Sequence, residues 1–218
     1  DRGAVNQEIK NSVAMAEALK MLKESAMWQN REKSNPEIAY GVAAGFLSCG
    51  MGKDIPDTAR VKIRETEKKV YDVYIGTVDM GQGAKAGFQL MAAKKLGVNA
   101  DNIKVHMGDT ERTFDCGTTA ASRGTYISGL ALLQAIEDMQ KKDFENGERF
   151  GFGEANFPEA ESYFDAGIPH NVYSFMAQIV KMKVDFKTGA LKVLEVCSAT
   201  DGGKILDPKT VEGQMVGG

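Results

Sequence analysis

Two pairs of stretches with alternating polarity constrain this chain more than anything else in it. Residues 60–65 and 70–77 alternate polar with apolar or aromatic side chains around the charged Glu65-Thr66-Glu67-Lys68-Lys69. Residues 173–186 and 191–200 flank Lys187-Thr188-Gly189 in the same way. Period-two alternation broken by a short polar turn predicts an antiparallel hairpin with one wet face, and Gly189 falls where a positive φ is needed. A Gly-Gln pair follows each hairpin, Gly81-Gln82 and Gly213-Gln214, each read as a helix start. The expected fold is α+β and two-layered: two similar subdomains of antiparallel hairpins with helices packed on one face.

The rest of the chain predicts how these pieces are joined. Residues 4–28 carry Val5, Ile9, Val13 and Ala16 at helical steps, and residues 29–38 are polar with one proline; residues 1–38 are therefore expected to be a helix and a linker. A first strand is expected over residues 41–47. After Gly83, Phe88, Met91, Ala92 and Leu96 form a helical stripe that stops at Gly97, in the place of a C-terminal cap. A strand follows at 103–107. Beyond Arg123 a long, deeply buried helix is expected, with Ile127, Leu130, Ala131, Ala135 and Met139 on one face and Leu132, Leu133 and Ile136 around it. The expected divisions are 39–142 as a first half, 143–170 as a loop or insertion, and 171–218 as the start of a second half, cut short.

Composition narrows the function. With 27 Lys plus Arg against 30 Asp plus Glu, the net charge is −3, and no basic surface for nucleic acid is implied. The content of 43% hydrophobic and 26% charged residues excludes disorder. The longest weakly polar stretch, residues 40–52, is shorter than the roughly 18 residues of a membrane span, so no membrane segment is expected. The start, Asp1-Arg2-Gly3, has no signal pattern and reads as a fragment or processed product. Cys49, Cys116 and Cys197 are odd in number with no C-x-x-C, so neither zinc nor an iron–sulfur cluster is expected on this chain, and reduced thiols fit the cytoplasm. His106 and His170 fit no catalytic spacing and are read as structural.

The chain holds 24 glycines, and several precede helices. Glycine there lets a ligand approach the backbone, and the first helical N–H groups point unpaired at whatever lies in front of them. Three such ends stand out: Gly81-Gln82-Gly83, residues 117–122, and Gly213-Gln214. Converging, they would cradle a phosphorylated cofactor, with the Thr118, Thr119 and Ser122 hydroxyls and the Gln82 and Gln214 amides adding polar groups, and Arg123 pairing with a phosphate. The bland alternative is a non-catalytic α+β binding domain whose glycines serve turns only. A third reading takes Gly81-Gln82-Gly83-Ala84-Lys85-Ala86 as the G-x-G-x-x-A of an NAD-binding domain. Asp72 in the preceding strand argues against it, and an antiparallel hairpin there would remove it.

Taken together, Val78-Asp79-Met80-Gly81-Gln82-Gly83, Gln89, Leu96-Gly97-Val98, Gly108-Asp109-Thr110, residues 117–123, Asp201-x-Gly203, Asp207-Pro208 and residues 211–218 resemble the molybdopterin-binding subunit of the xanthine dehydrogenase and aldehyde oxidase family. The resemblance runs from about Gly41 to Gly218. It implies a molybdenum cofactor-binding fold within a molybdenum hydroxylase. There a molybdenum held by a pterin dithiolene hydroxylates an N-heterocycle, such as a purine, or an aldehyde, with oxygen from water. A glutamate is the base, and electrons leave through two [2Fe–2S] clusters to FAD on partner domains or subunits. By motif match, Gly81, Gln82, Gly83, Thr118, Thr119, Ala120, Ala121, Ser122, Arg123 and Gln214 would bind the pterin, as such or as its cytosine dinucleotide.

The departures are as specific. Asp207-Pro208 stands where many members have Asn-Pro. The family's base belongs to a Gly-x-Gly-Glu motif expected downstream of Gly218, so no catalytic residue and no activity is expected of these 218 residues alone. Gly151-Phe152-Gly153-Glu154 spells that motif upstream of the second Gly-Gln, where it reads as coincidence.

Overall fold

The computed structural model describes every residue except 1, 4, 10, 11, 53, 67, 159–166, 171 and 218; parts of the expected amino-terminal helix, first hairpin turn, 143–170 loop and final motif lie outside the described residues. In chain order the elements are α1 (Met15–Glu24), α2 (Ala26–Gln29), β1 (Ile38–Cys49), β2 (Thr58–Thr66), β3 (Tyr71–Ile75), α3 (Ala84–Leu96), β4 (Ile103–Met107), α4 (Gly124–Gln140), β5 (Glu148–Asn156), β6 (Val172–Val184), β7 (Leu191–Asp201) and α5 (Pro208–Gly217). They form two sheets, β4-β3-β2-β5 and β1-β6-β7.

Both expected hairpins are present. β2 and β3 pair antiparallel from Val61↔Ile75 to Glu65↔Tyr71, and β6 and β7 pair across a turn in which Gly189 has φ 73°. An antiparallel β2–β3 hairpin removes the NAD-binding reading, although β3 is also joined through α3 to a parallel β4. On the inner face of this sheet, Val61, Ile63, Val73, Ile75, Ile103 and Val105 pack against Phe88 and Ala92 of α3 and against Ile127, Ala131, Leu132, Ala135, Ile136 and Met139 of α4. Gly97 ends α3 at φ 69° in the left-handed region, where a side chain would be strained. The outer face is charged. Arg64 reaches Asp72 at 2.5 Å and Glu148 at 2.9 Å, and Lys62 and Arg112 lie over the Tyr74 ring.

The smaller sheet carries α1 on one face, where Ala18 and Leu22 meet Ala177, Ile179 and Ala199. The amino-terminal helix begins at Met15, far later than the apolar spacing predicts. The chain before it is turned: Asn6 has φ 62°, Gly3 N donates to Gln7 O at 2.9 Å, and the buried Gln7 amide donates to His170 O at 3.0 Å. Gln7 and Ile9 are both buried here, outside the helix that the Val5–Ile9–Val13 spacing predicts.

Two strands fall on the far side of the expected divisions. β1, expected to begin the first half, pairs with β6 along its whole length, from Ile38↔Lys183 to Cys49↔Val172. β5, expected within a loop, pairs with β2 from Thr58↔Asn156 to Thr66↔Glu148. Its inward positions are Gly151, Gly153 and Ala155, while Phe150 and Phe152 face outward, so its hydrophobic alternation is inverted. The reason is α4: a Cβ on Gly151 would run into Ala135 O, and one on Gly153 into Ala131 O. The helix lies directly on this strand.

Candidate cofactor site

The loop after β3 folds onto its own side chains. Asp79 accepts from the backbone N–H groups of Gly81 at 2.9 Å, Gly83 at 3.3 Å and Lys85 at 2.9 Å. Those bonds, Lys85 and Gly81 first, hold its carboxyl below the usual carboxylate range. Gln82 accepts from Met80 N at 2.5 Å and donates to Val78 O at 3.0 Å. Gly81 at φ 101° and Gly83 at φ 79° permit these close turns. The first amides of α3 are therefore already capped by a carboxylate, and Asp79 stands where an anion would bind.

The loop before α4 ends differently. Ala121 and Ser122 both adopt left-handed φ, 51° and 55°, a conformation that costs of order 1 kcal/mol or more for a residue with a Cβ. α4 has no side-chain cap, so its first N–H groups remain available. The two loops meet where Val78 N donates to Thr119 Oγ1 at 3.1 Å. Between them is a pocket of about 310 Å³ lined by Met80, Gln82, Thr119, Ser122, Gly124 and Thr125, among others. Ala120, Ala121 and Arg123 also border it, whereas Gly81, Gly83 and Thr118 lie outside its walls.

The Arg123 side chain, expected to pair with a phosphate, is engaged within the protein. Its guanidinium is buried and pairs with the equally buried Asp57, while Nη1 donates to Cys116 O at 2.7 Å and Thr118 O at 2.9 Å, and Nη2 to Thr58 O at 3.0 Å. Asp57 in turn accepts from Met51 N at 2.8 Å. The arginine shapes the 116–123 loop from behind. Gln214 does not mark a helix start. Asp207 accepts from Lys209 N at 3.1 Å and from Thr210 Oγ1 at 2.7 Å, and Pro208 occupies the first position of α5. An aspartate cap followed by proline starts the helix six residues before Gln214. The opening turn of α5 approaches the first loop: a Cβ on Gly83 would lie 3.8 Å from Thr210 Cγ2.

The remaining candidates are accounted for locally. Glu154 pairs with Arg60 at 2.8 Å on the exposed outer face. His106 holds Asp72 at 2.6 Å. The three cysteines are unpaired, and the described residues contain no metal-binding cluster of His, Cys, Asp and Glu. Among the described residues, no helix is long and apolar enough to cross a membrane. What the sequence did not reveal is the segment from Cys49 to Arg60, which holds the 116–123 loop. Its partners lie 56 to 73 positions away, and no local pattern announces them.

The sequence model of the Molybdopterin cofactor-binding domain family matches residues 14–148 and 149–218. The chain belongs to this family. The domain is 23% identical to a probable xanthine dehydrogenase subunit of Bacillus subtilis, a match that covers 100% of the domain and 34% of that relative. It is 24% identical over 83% of its length to the aldehyde oxidoreductase molybdenum-binding subunit of Escherichia coli K12, of which it spans 27%. Among solved structures, the aldehyde oxidoreductase of Desulfovibrio desulfuricans superimposes on the whole domain with a TM-score of 0.82 at 24% identity, over 26% of that chain. The reconstituted CO dehydrogenase of Oligotropha carboxidovorans gives 0.80 at 17% identity, covering 98% of the domain and 33% of that chain. The molybdopterin cofactor-binding domain thus spans about a quarter to a third of these relatives, and the two structures share its α+β fold.

Proposed function

We propose that this domain is part of a molybdenum hydroxylase and receives the pterin cofactor in the pocket between the 78–83 loop and the start of α4. The observation that carries the reading is the uncapped amino terminus of α4 opening into that pocket beside the Thr119 and Ser122 hydroxyls. These residues fit a phosphorylated pterin: the Gly124 and Thr125 end of the helix offers N–H donors to an anion, and Gln82 retains one amide hydrogen for the ring or tail. The capped α3 end does not fit a phosphate, so the 78–83 loop serves as a wall through Met80 and Gln82. Arg123 and Asp57 keep the opposite wall in place.

When bound, such a cofactor supplies molybdenum chemistry that inserts water-derived oxygen at a carbon of an aldehyde or an N-heterocycle such as a purine. The dinucleotide form of the pterin, [2Fe–2S] clusters and FAD on partner domains or subunits, a glutamate base beyond Gly218 and a cytoplasmic location complete the proposal. Two curated relatives, a probable xanthine dehydrogenase subunit and an aldehyde oxidoreductase subunit, support the substrate classes. The test is metal and pterin analysis of the parent protein, followed by a substrate screen over purines, other N-heterocycles and aldehydes. One molybdenum and one pterin per domain, with turnover of one class, is the expected result. A parent protein purified with no pterin would leave the α+β binding-domain alternative standing.

A further inference from the structure

We propose that Cys49 and Gly50, at the end of β1, form a two-point clamp on the Ala121–Ser122 turn, which makes Cys49 a positioning residue for the cofactor. The inference rests on the cofactor reading above and concerns residues outside every motif that supports it. The turn it concerns is the strained part of the site, because consecutive non-glycine residues hold left-handed φ there. Two donors from adjacent residues meet the two carbonyls of that turn: Gly50 N donates to Ala121 O at 2.9 Å, and Cys49 Sγ donates to Ser122 O at 3.1 Å. Arg123 braces a different part of the loop, through Cys116 O and Thr118 O.

The chemistry of both residues suits the task. Burial, reinforced by the Asp57 carboxylate, pushes the Cys49 thiol up to about 11, so at neutral pH it keeps the hydrogen it needs to donate. Gly50 sits at φ 93°, and a Cβ there would come within 2.7 Å of the Phe157 ring; only glycine brings its N–H to this place. Cys49 faces a second pocket of about 250 Å³, together with Asp57 and His170, behind the wall that Ser122 presents to the cofactor pocket. It touches the turn and does not line the cofactor pocket.

The experiment compares the parent protein with its Cys49→Ser and Cys49→Val variants. Serine keeps a donor, while valine keeps the bulk and loses it. The readouts are pterin and molybdenum per protein after purification, the half-time of pterin release on dilution, and the melting temperature of cofactor-free protein. Release from Cys49→Val is expected to be about threefold to tenfold faster, as the loss of one hydrogen bond implies, with only a few degrees separating the cofactor-free melting temperatures of the two variants. Cys49→Ser should release within about twofold of the natural protein. Release from Cys49→Val at the natural rate overturns the clamp, and so does release from Cys49→Ser as fast as from Cys49→Val. A natural parent without pterin overturns the cofactor reading itself, and the clamp with it.

Discussion

At the scale of single residues, glycine explains both what sequence can show and what it hides. Gly97 and Gly189 are legible because the reason for each is local: a helix end and a hairpin turn, both at positive φ. Gly151 and Gly153 are not, because their reason is a helix a dozen or more residues earlier in the chain. The carbonyls of Ala131 and Ala135 occupy the space a side chain would need. Gly153→Ala is expected to cost about 2 kcal/mol or more, the cost of overpacking a rigid contact, seen as a fall in the urea midpoint. The neighbouring Glu154→Gln should leave that midpoint nearly unchanged, since both it and its partner Arg60 are exposed to solvent. If the two substitutions were equally mild, α4 would not lie directly on β5.

At the scale of elements, the same division holds. β2, β3, β6 and β7 are legible because each hairpin carries its own alternation and its own turn. β1 belongs with the second hairpin and not the first because it joins β6 across more than 120 residues of chain, and pairing at that distance leaves no local trace. α5 starts earlier than the Gly-Gln pair suggests because Asp207-Pro208 is the stronger start signal. The candidate pocket's wall is legible over residues 119–122, missed at Gly124 and Thr125, and obscured at Arg123, whose buried partner Asp57 is 66 positions away. The outer face of the larger sheet adds an acid-sensitive element. Burial of Asp72 works against its charge, yet hydrogen bonds from His106 and Arg64 outweigh it and hold the carboxyl below its ordinary value. A lowered folded-state pKa means that this stabilisation is complete above the unfolded value near 4 and is lost as pH falls through the lower folded one. Asp72→Asn is expected to cost about 2 kcal/mol at pH 7, the range for hydrogen bonds to a charged group. It should also make stability fall less steeply as pH drops below about 4. Urea midpoints across that range would show it, and an unchanged slope would assign the acid sensitivity elsewhere.

For the whole molecule, the two sheets are unequally supported. The larger one shares an extensive buried core with α3 and α4, in which Ile63, Ile75, Phe88, Ile127, Leu132, Ile136 and Met139 are fully enclosed. The smaller one relies on α1, with Ala18 and Leu22 set against Ala177, Ile179 and Ala199. On its opposite face Leu47, Met176, Leu191, Val193 and Val196, placed together by the β1–β6–β7 register, remain exposed. Stability within one molecule follows such differences in enclosed apolar contact, and a thinly covered layer opens locally before the whole unfolds. Amides of α4 and β3 are therefore expected to exchange with solvent most slowly, and those of α1 and β7 at least about tenfold faster. Leu22→Ala sharpens the comparison. Removal of that side chain should cost about 2–4 kcal/mol and accelerate exchange in α1, β6 and β7 while α4 keeps its protection. Mass-spectrometric hydrogen exchange on the 218-residue chain reads both effects, and uniform acceleration across both sheets would mean that they open as one. The proposed cofactor pocket lies on the better-supported side of this division, between the β3–α3 loop and α4. The clamp that holds its wall, however, comes from the end of β1, in the weaker layer. Opening of the small sheet would then release the Ala121–Ser122 turn while the larger core stays folded.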